Sequence, residues 1–144
     1  MSYLYNSHIR PIAISIITNN DKILVYKRED EITNNSFYRL VGGCIEFGET
    51  SKEALAREFN EELSQQLVNI KLLTAFESIF TFNGRKLHEI VFLFNSEFEN
   101  QSIYNKKVLK GCEGEREFDA LWVPKDDFIT QKKLIYPVEI IDYL

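Results

Sequence analysis

Only one long stretch of this chain, beginning near Thr50, carries a pattern strong enough to dictate its own secondary structure. Thr50 and Glu53 form a T-x-x-E capping box, in which the hydroxyl and the carboxylate satisfy backbone donors left free at a helix start. At about 100° per residue, Leu55, Phe59 and Leu63 then align as a narrow apolar stripe. A helix with such a stripe has to bury it against another layer, and the flanking segments read as strands. Pro11 to Ile17 alternates Ile12, Ile14 and Ile16 against Ala13 and Ser15, as a strand with one larger-residue face does. After the turn residues Asn19-Asn20-Asp21, Lys22 to Arg28 reads as a second strand, antiparallel to the first. Phe76 to Phe82 and Leu87 to Phe94 flank Asn83-Gly84, a pair suited to the positive φ angles of a tight hairpin turn. Phe118 to Val123 reads as a further strand, and Pro137 to Leu144 as a short carboxy-terminal helix with Pro137 in its first turn. This order predicts an α/β sandwich with a mixed sheet.

The 144 residues fit one ordinary domain, and no repeat, low-complexity tract or Pro/Gly-rich linker divides them. With 44% hydrophobic and 27% charged residues the composition is that of a globular protein rather than a disordered or fibrous one. A net charge of −5 offers no basic excess to attract a nucleic-acid polymer, whereas a small phosphorylated ligand needs only local neutralisation by a metal ion. No apolar run approaches the ~20 residues that span a bilayer, so no membrane association is expected. Met1 to Asn6 lacks a basic segment followed by an apolar one, which predicts a cytoplasmic protein. Cys44 and Cys112 lack CxxC spacing and read as free thiols, and His8 and His88 alone are too few for a multi-histidine metal centre.

On the helix, Glu58, Glu61 and Glu62 are spaced i, i+3, i+4 and cluster beside the apolar stripe, where like charges repel unless something positive compensates. Mg²⁺ is a natural compensator, since it takes oxygen ligands, keeps several waters and joins carboxylates to substrate phosphates. The competing reading is a solvated helix face with Glu53–Arg57 and Arg57–Glu61 ion pairs.

The preceding segment decides between them. Val41-Gly42-Gly43-Cys44-Ile45-Glu46-Phe47-Gly48-Glu49-Thr50, followed by Arg57-Glu58-Phe59-Asn60-Glu61-Glu62, resembles the Nudix box, G-x5-E-x7-R-E-U-x-E-E-x-G-U, with U a bulky apolar residue. Gly43, Glu49, Arg57, Glu58, Phe59, Glu61 and Glu62 fall in register. With Gly, Glu and Arg at roughly 6–7% usage each, a chance match of those six identities is on the order of 10⁻⁵. Tyr38-x-Leu40 before the double glycine and Leu121-Trp122-Val123-Pro124 late in the chain are also similar to the family, so the resemblance covers residues 1–144 as a single Nudix hydrolase-like domain. Val41 departs from the family's usual proline, and Ser64 and Gln65 replace the final glycine and apolar residue. Without that glycine the helix is expected to run longer or end differently, altering the following loop but not the chemistry.

The resemblance implies a Nudix-like α/β/α sandwich with a mixed central sheet. It implies hydrolysis of a nucleoside diphosphate linked to another group, by attack of water on phosphorus. Glu58, Glu61 and Glu62, with the backbone carbonyl of Gly43, would hold Mg²⁺ or Mn²⁺, which withdraws charge from the diphosphate and lowers the pKa of water. Glu61 or an acid outside the helix would be the general base. Arg57, held by Glu49, would orient the acidic side chains, while Gly42 and Gly48 give the loop backbone freedom. Lys110 to Glu117 reads as a flexible acidic loop able to bring a further acid to the site, Glu115 first and Glu117 second. Arg28 and Arg39 are candidate phosphate contacts against the alternative of ordinary surface arginines. Tyr38, Phe80 and Phe82 could stack on a base, against the alternative of core packing.

No marker of the ADP-ribose, dinucleoside polyphosphate, NADH or coenzyme A hydrolases is present, which leaves nucleoside triphosphates and nucleotide sugars as the substrate field. A homodimer is common among similar proteins. Two other readings stay open: a Nudix-fold nucleotide-binding or regulatory module without efficient hydrolysis, and an unrelated interaction domain in which the acidic helix is purely structural.

Overall fold

Strands β1 (Ile9–Ile16), β2 (Thr18–Asn19), β3 (Lys22–Glu29), β4 (Ser36–Leu40) and β5 (Gly42–Cys44) precede the helix α1 (Ser51–Leu63). After it come β6 (Leu67–Phe82), β7 (Arg85–Phe98), β8 (Val108–Glu113), β9 (Arg116–Pro124) and a short helix α2 (Lys125–Ile129). The computed structural model describes residues 8–144, so the Met1 to Asn6 segment lies outside the described residues. A mixed sheet runs β5-β1-β7-β6, with β1 parallel to β7 and antiparallel to β5. An antiparallel sheet runs β2-β3-β9-β8, with β4 also on β3.

β1 is buried on both faces, which is why its alternation is one of size rather than polarity. Ile12, Ile14 and Ile16 enter a core closed by Phe128, Ile135 and Ile140. Ala13 and Ile17 face a second core containing Leu55, Phe59 and Leu63 of α1. The buried Ser15 hydroxyl is satisfied by Ser96 at 2.6 Å. Helical segments thus cover both sides of the sheet layer, as expected of an α/β/α sandwich.

Several local expectations change. The two amino-terminal strands pair only at their tip, through Thr18↔Ile23 and Asn19↔Lys22, because the chain changes sheets at Ile17 and β1 pairs instead with β5 and β7. The Asn83-Gly84 turn has the anticipated positive φ angles, 51° and 74°, but its strands run well beyond the apolar runs that mark them. The carboxy-terminal helix is a 3₁₀ segment, Val138–Tyr143, with Pro137 just before it. The acidic stretch from Lys110 to Glu117 is a hairpin between β8 and β9 rather than a flexible loop. Gly111 is a strand residue there, since a Cβ would collide with the ring of Phe118, and Gly114 alone supplies the turn at φ 62°. Finally, Ser64 adopts the left-handed conformation, φ 55° and ψ 38°, so α1 stops at Leu63 as it would with glycine in that place.

The hairpin of β6 and β7 is tied to the loop after β3 by Asp30. Its Oδ1 accepts the N–H groups of Ile32 at 2.9 Å and Thr33 at 3.0 Å, and its Oδ2 accepts that of Asn83 at 3.0 Å. These bonds, Thr33's first, hold the Asp30 carboxyl below its ordinary pKa. A depressed folded-state pKa adds stability that is present above the ordinary carboxylate range and lost as pH falls through the folded value. Asp30→Asn is therefore expected to lower Tm at pH 7, with the gap from wild type closing towards pH 3 in thermal melts.

Candidate active site

The capping box forms as read: Glu53 N–H donates to the Thr50 hydroxyl at 3.1 Å and Thr50 N–H to the Glu53 carboxylate at 2.9 Å. Glu53 is thereby spent on the cap rather than on Arg57. The loop before it passes hard against its neighbours, for a Cβ on Gly42 would meet the Ala13 carbonyl and one on Gly43 the Glu58 carboxyl. Glycine at position 43 is what lets backbone lie against that carboxylate.

Arg57 is the hub. Its Nε and Nη2 form a fork on Glu49 at 3.0 and 2.6 Å. Nη2 also donates to the Cys44 carbonyl at 2.9 Å, while Nη1 reaches Glu58 at 3.0 Å and Glu61 at 3.2 Å. The guanidinium is held more firmly protonated by these partners, Glu49 above all, and in return Glu49 is held below its ordinary pKa. Glu49 also accepts the N–H of Glu46 at 2.9 Å, closing the loop on itself.

The three helix acids sit in unlike surroundings. Glu61 is mostly exposed, at 58% of its side chain, and Glu58 mostly covered, at 15%. Glu62 is buried, and its Oε2 has no hydrogen-bond partner. Burial pushes Glu58 up despite Arg57 beside it. Burial pushes Glu62 up to about 9, with Glu58 and Glu113 adding repulsion. An orphaned carboxylate oxygen, two desolvated acids and glycine backbone against one of them make an all-oxygen donor set that fits a hard divalent cation. Among the described residues no three such side chains already converge on one point. Arg57 Nη1 bonds one carboxylate oxygen each of Glu58 and Glu61, and the second oxygen of each carboxylate lies outside that contact.

These residues line a cleft of about 720 Å³ together with Arg28 and Arg39, Phe80 and Phe82, and the tip of the β8–β9 hairpin. Glu115 is an exposed turn residue at that tip. The hairpin acid that faces Glu62 is Glu113, which also pairs with Arg116 at 3.1 Å. Glu117 lines a separate groove beside Lys110 and Asp119. Tyr38 packs on Phe128, at 5.6 Å between centroids. Arg39 is not a surface residue: it bonds the fully buried Glu89 at 2.9 Å, and Arg10 approaches the same carboxylate at 3.5 Å. Glu113, Glu89 and Arg10 escaped the sequence reading, though period-two patterns carry signals for the acids. Glu113 shares a strand face with buried Leu109 and Gly111, and Glu89 interrupts the buried series Leu87, Val91, Leu93.

A family model described as NUDIX domain matches residues 8–141. A curated relative, the NAD-capped RNA hydrolase NudC of Edwardsiella ictaluri, is 34% identical over 71 residues, covering 49% of this chain and 27% of its own. This chain therefore spans about a quarter of that relative's length. Among solved structures, the MutT NUDIX hydrolase of Burkholderia pseudomallei is similar at a TM-score of 0.62 and 21% identity, over 83% of this chain and 86% of that one. The MutT protein of Bacillus halodurans is similar at 0.63 and 18% identity, over 91% and 77%. At these identities the structural likeness concerns the fold.

The raised pKa of Glu62 makes a prediction about the metal-free protein. Between the ordinary carboxylate range and about 9 the folded state binds a proton that the unfolded state releases, so stability falls as pH rises through that window. Glu62→Gln is expected to melt above wild type at pH 7.5 without divalent cations, with the advantage gone near pH 4. Equal Tm values at pH 7.5 would contradict the strained placement of this acid.

Proposed function

The chain belongs to the Nudix hydrolase family, and on that premise we propose that it is a divalent-cation-dependent pyrophosphohydrolase. Its substrate is a nucleoside diphosphate linked to another group, of nucleoside triphosphate or nucleotide-sugar type, cleaved by attack of water on phosphorus. The observation that carries this reading is the Arg57 hub, which holds Glu58 and Glu61 at one cleft beside Glu62, whose Oε2 is unpartnered. The similar proteins from Edwardsiella ictaluri and Burkholderia pseudomallei are themselves named as hydrolases, which supports the reaction class.

Glu58, Glu61 and Glu62, with the backbone of Gly43, are the residues assigned to hold Mg²⁺, with Mn²⁺ as a substitute. When bound, the cation supplies charge withdrawal from the diphosphate and a lowered pKa for water. Glu49 and Arg57 hold Glu58, Glu61 and the Cys44 carbonyl in one frame, which fixes the direction from which these acids approach the cleft. Glu61, the most exposed of the three, is assigned as general base. Glu113 replaces Glu115 as the acid contributed by the hairpin, because it is Glu113 that faces Glu62. Arg28 and Arg39 line the cleft and are assigned to the substrate. The free thiols of Cys44 and Cys112 support a cytoplasmic setting.

Product release should be measured across nucleoside triphosphates, nucleotide sugars, dinucleoside polyphosphates and ADP-ribose with Mg²⁺ or Mn²⁺. Glu62→Gln and Arg57→Ala are each expected to lower kcat/KM by ~100-fold or more, the scale of losing one preorganised charged group. No turnover above the Glu62→Gln background on any substrate would overturn the enzyme reading and favour a nucleotide-binding module.

A further inference from the structure

Tyr26 occupies the seam between the acidic and the basic side of the cleft. It lies on β3, which pairs with β4 on one edge and β9 on the other, where Tyr26 stands opposite Arg39 and Ala120. Its backbone is therefore held from both sides. Leu24, Tyr26 and Arg28 share one face of this strand by its two-residue period. Leu24 is buried in the core that holds Leu55 and Phe59 of α1, whereas Arg28 lines the cleft. Tyr26 belongs to both environments. Its ring packs against that core, 5.1 Å from the Phe118 ring centroid, and the residue lines the cleft together with Glu58, Glu62 and Glu113. Phe118 in turn lies against Gly111, where a Cβ would collide with its ring. The phenol is thus backed by a second ring and by the backbone of β8.

The hydroxyl has charges on two sides and a partner on neither. Burial pushes it above the ordinary tyrosine pKa, Arg39 and Arg28 oppose that shift, and Glu113 and Glu62 add to it. Among the described residues no hydrogen bond satisfies it. Phenylalanine would pack on Phe118 equally well, and a desolvated hydroxyl without a partner works against folding. The group is a neutral O–H donor at neutral pH. A ligand that reaches from the acids of α1 to Arg28 and Arg39 has to pass over it. We propose that Tyr26 is a catalytic residue whose O–H donates a hydrogen bond to a non-bridging oxygen of the substrate's diphosphate at this seam. The contact rests on the hydrolase reading. The tyrosine keeps its proton throughout. As the water oxygen bonds to phosphorus and the leaving oxygen departs with its electron pair, charge shifts among the diphosphate oxygens, and a fixed donor holds it better than mobile water does. A neutral donor suits the seam, because a cation there would pair with Glu62 or Glu113 and a carboxylate with Arg39.

Tyr26→Phe keeps the ring and removes only the oxygen. In the full chain its Tm is expected to equal or exceed that of wild type, because the lost hydroxyl has no partner within the protein. Its Mn²⁺ affinity without substrate should stay within ~2-fold, since no carboxylate is touched. On the best nucleotide substrate with Mg²⁺, kcat/KM should nevertheless fall about 10- to 100-fold, the scale of one hydrogen bond to a charged group, with the larger share in kcat. Calorimetric binding of imidodiphosphate with Mg²⁺ should weaken ~10-fold in the same variant. A kcat/KM within ~2-fold of wild type overturns the assignment. A lower Tm or weaker Mn²⁺ binding in Tyr26→Phe traces the loss to packing and overturns it as well. If wild type turns over no nucleotide, the hydrolase reading fails on its own and imidodiphosphate decides the contact. Weaker binding by Tyr26→Phe then leaves the hydroxyl as a diphosphate-binding group, whereas equal binding, or none by wild type, overturns it.

Discussion

The guanidinium of Arg57 joins the fold to the chemistry. Its fork on Glu49 fixes the loop before α1, its bond to the Cys44 carbonyl fixes the end of β5, and its remaining nitrogen holds Glu58 and Glu61. Lysine has the charge but not the five donors in a plane, and could not span loop, strand end and helix at once. The capping box starts α1 and the left-handed Ser64 ends it, so the acids projecting from the helix have a defined pitch and length. The apolar stripe of Leu55, Phe59 and Leu63 then presses that helix onto the mixed sheet.

The cleft is divided electrostatically, with acids on the helix side and arginines on the sheet side. Both walls contain groups whose burial costs folding free energy. Glu62 is desolvated beside other carboxylates, and Glu89 is fully buried between Arg10 and Arg39 on the opposite wall. Sites that bind charged ligands commonly carry such costs, which stability alone would remove. The net charge of −5 describes the chain without its ligands and conceals this division.

The helix, its cap and the box contacts were legible because each depends on residues within about a turn or a short loop of one another. Glu49 with Arg57, and Thr50 with Glu53, are of this local kind. The Asn83-Gly84 hairpin was legible for the same reason. What escaped depends on long-range pairing. The switch of the chain between sheets at Ile17 leaves no local mark, and β8 was obscured by Gly111, whose place in a strand follows from the ring of Phe118 above it. Reading β8 as a loop left Glu113 out of the candidates, although Glu113 is the hairpin acid that faces Glu62. The Arg10–Glu89–Arg39 cluster unites three strands, and only the register of β1 on β7 brings the first two together. Ser64 shows the opposite failure, a departure from a family pattern that the backbone absorbs without moving the helix end.

The assignment of Glu58, Glu61 and Glu62 as a divalent-cation site beside the Arg57 frame makes Glu62, the buried acid with an unpartnered oxygen, the residue on which cation binding depends. Its most direct test is Mn²⁺ binding at pH 7.5, measured by calorimetry on wild type and on Glu62→Gln, each confirmed folded. Saturable binding is expected in wild type, with a Kd on the order of micromolar to millimolar as befits a carboxylate site of this size, and its loss in the variant. Equal binding by both proteins, or none by wild type, would contradict it.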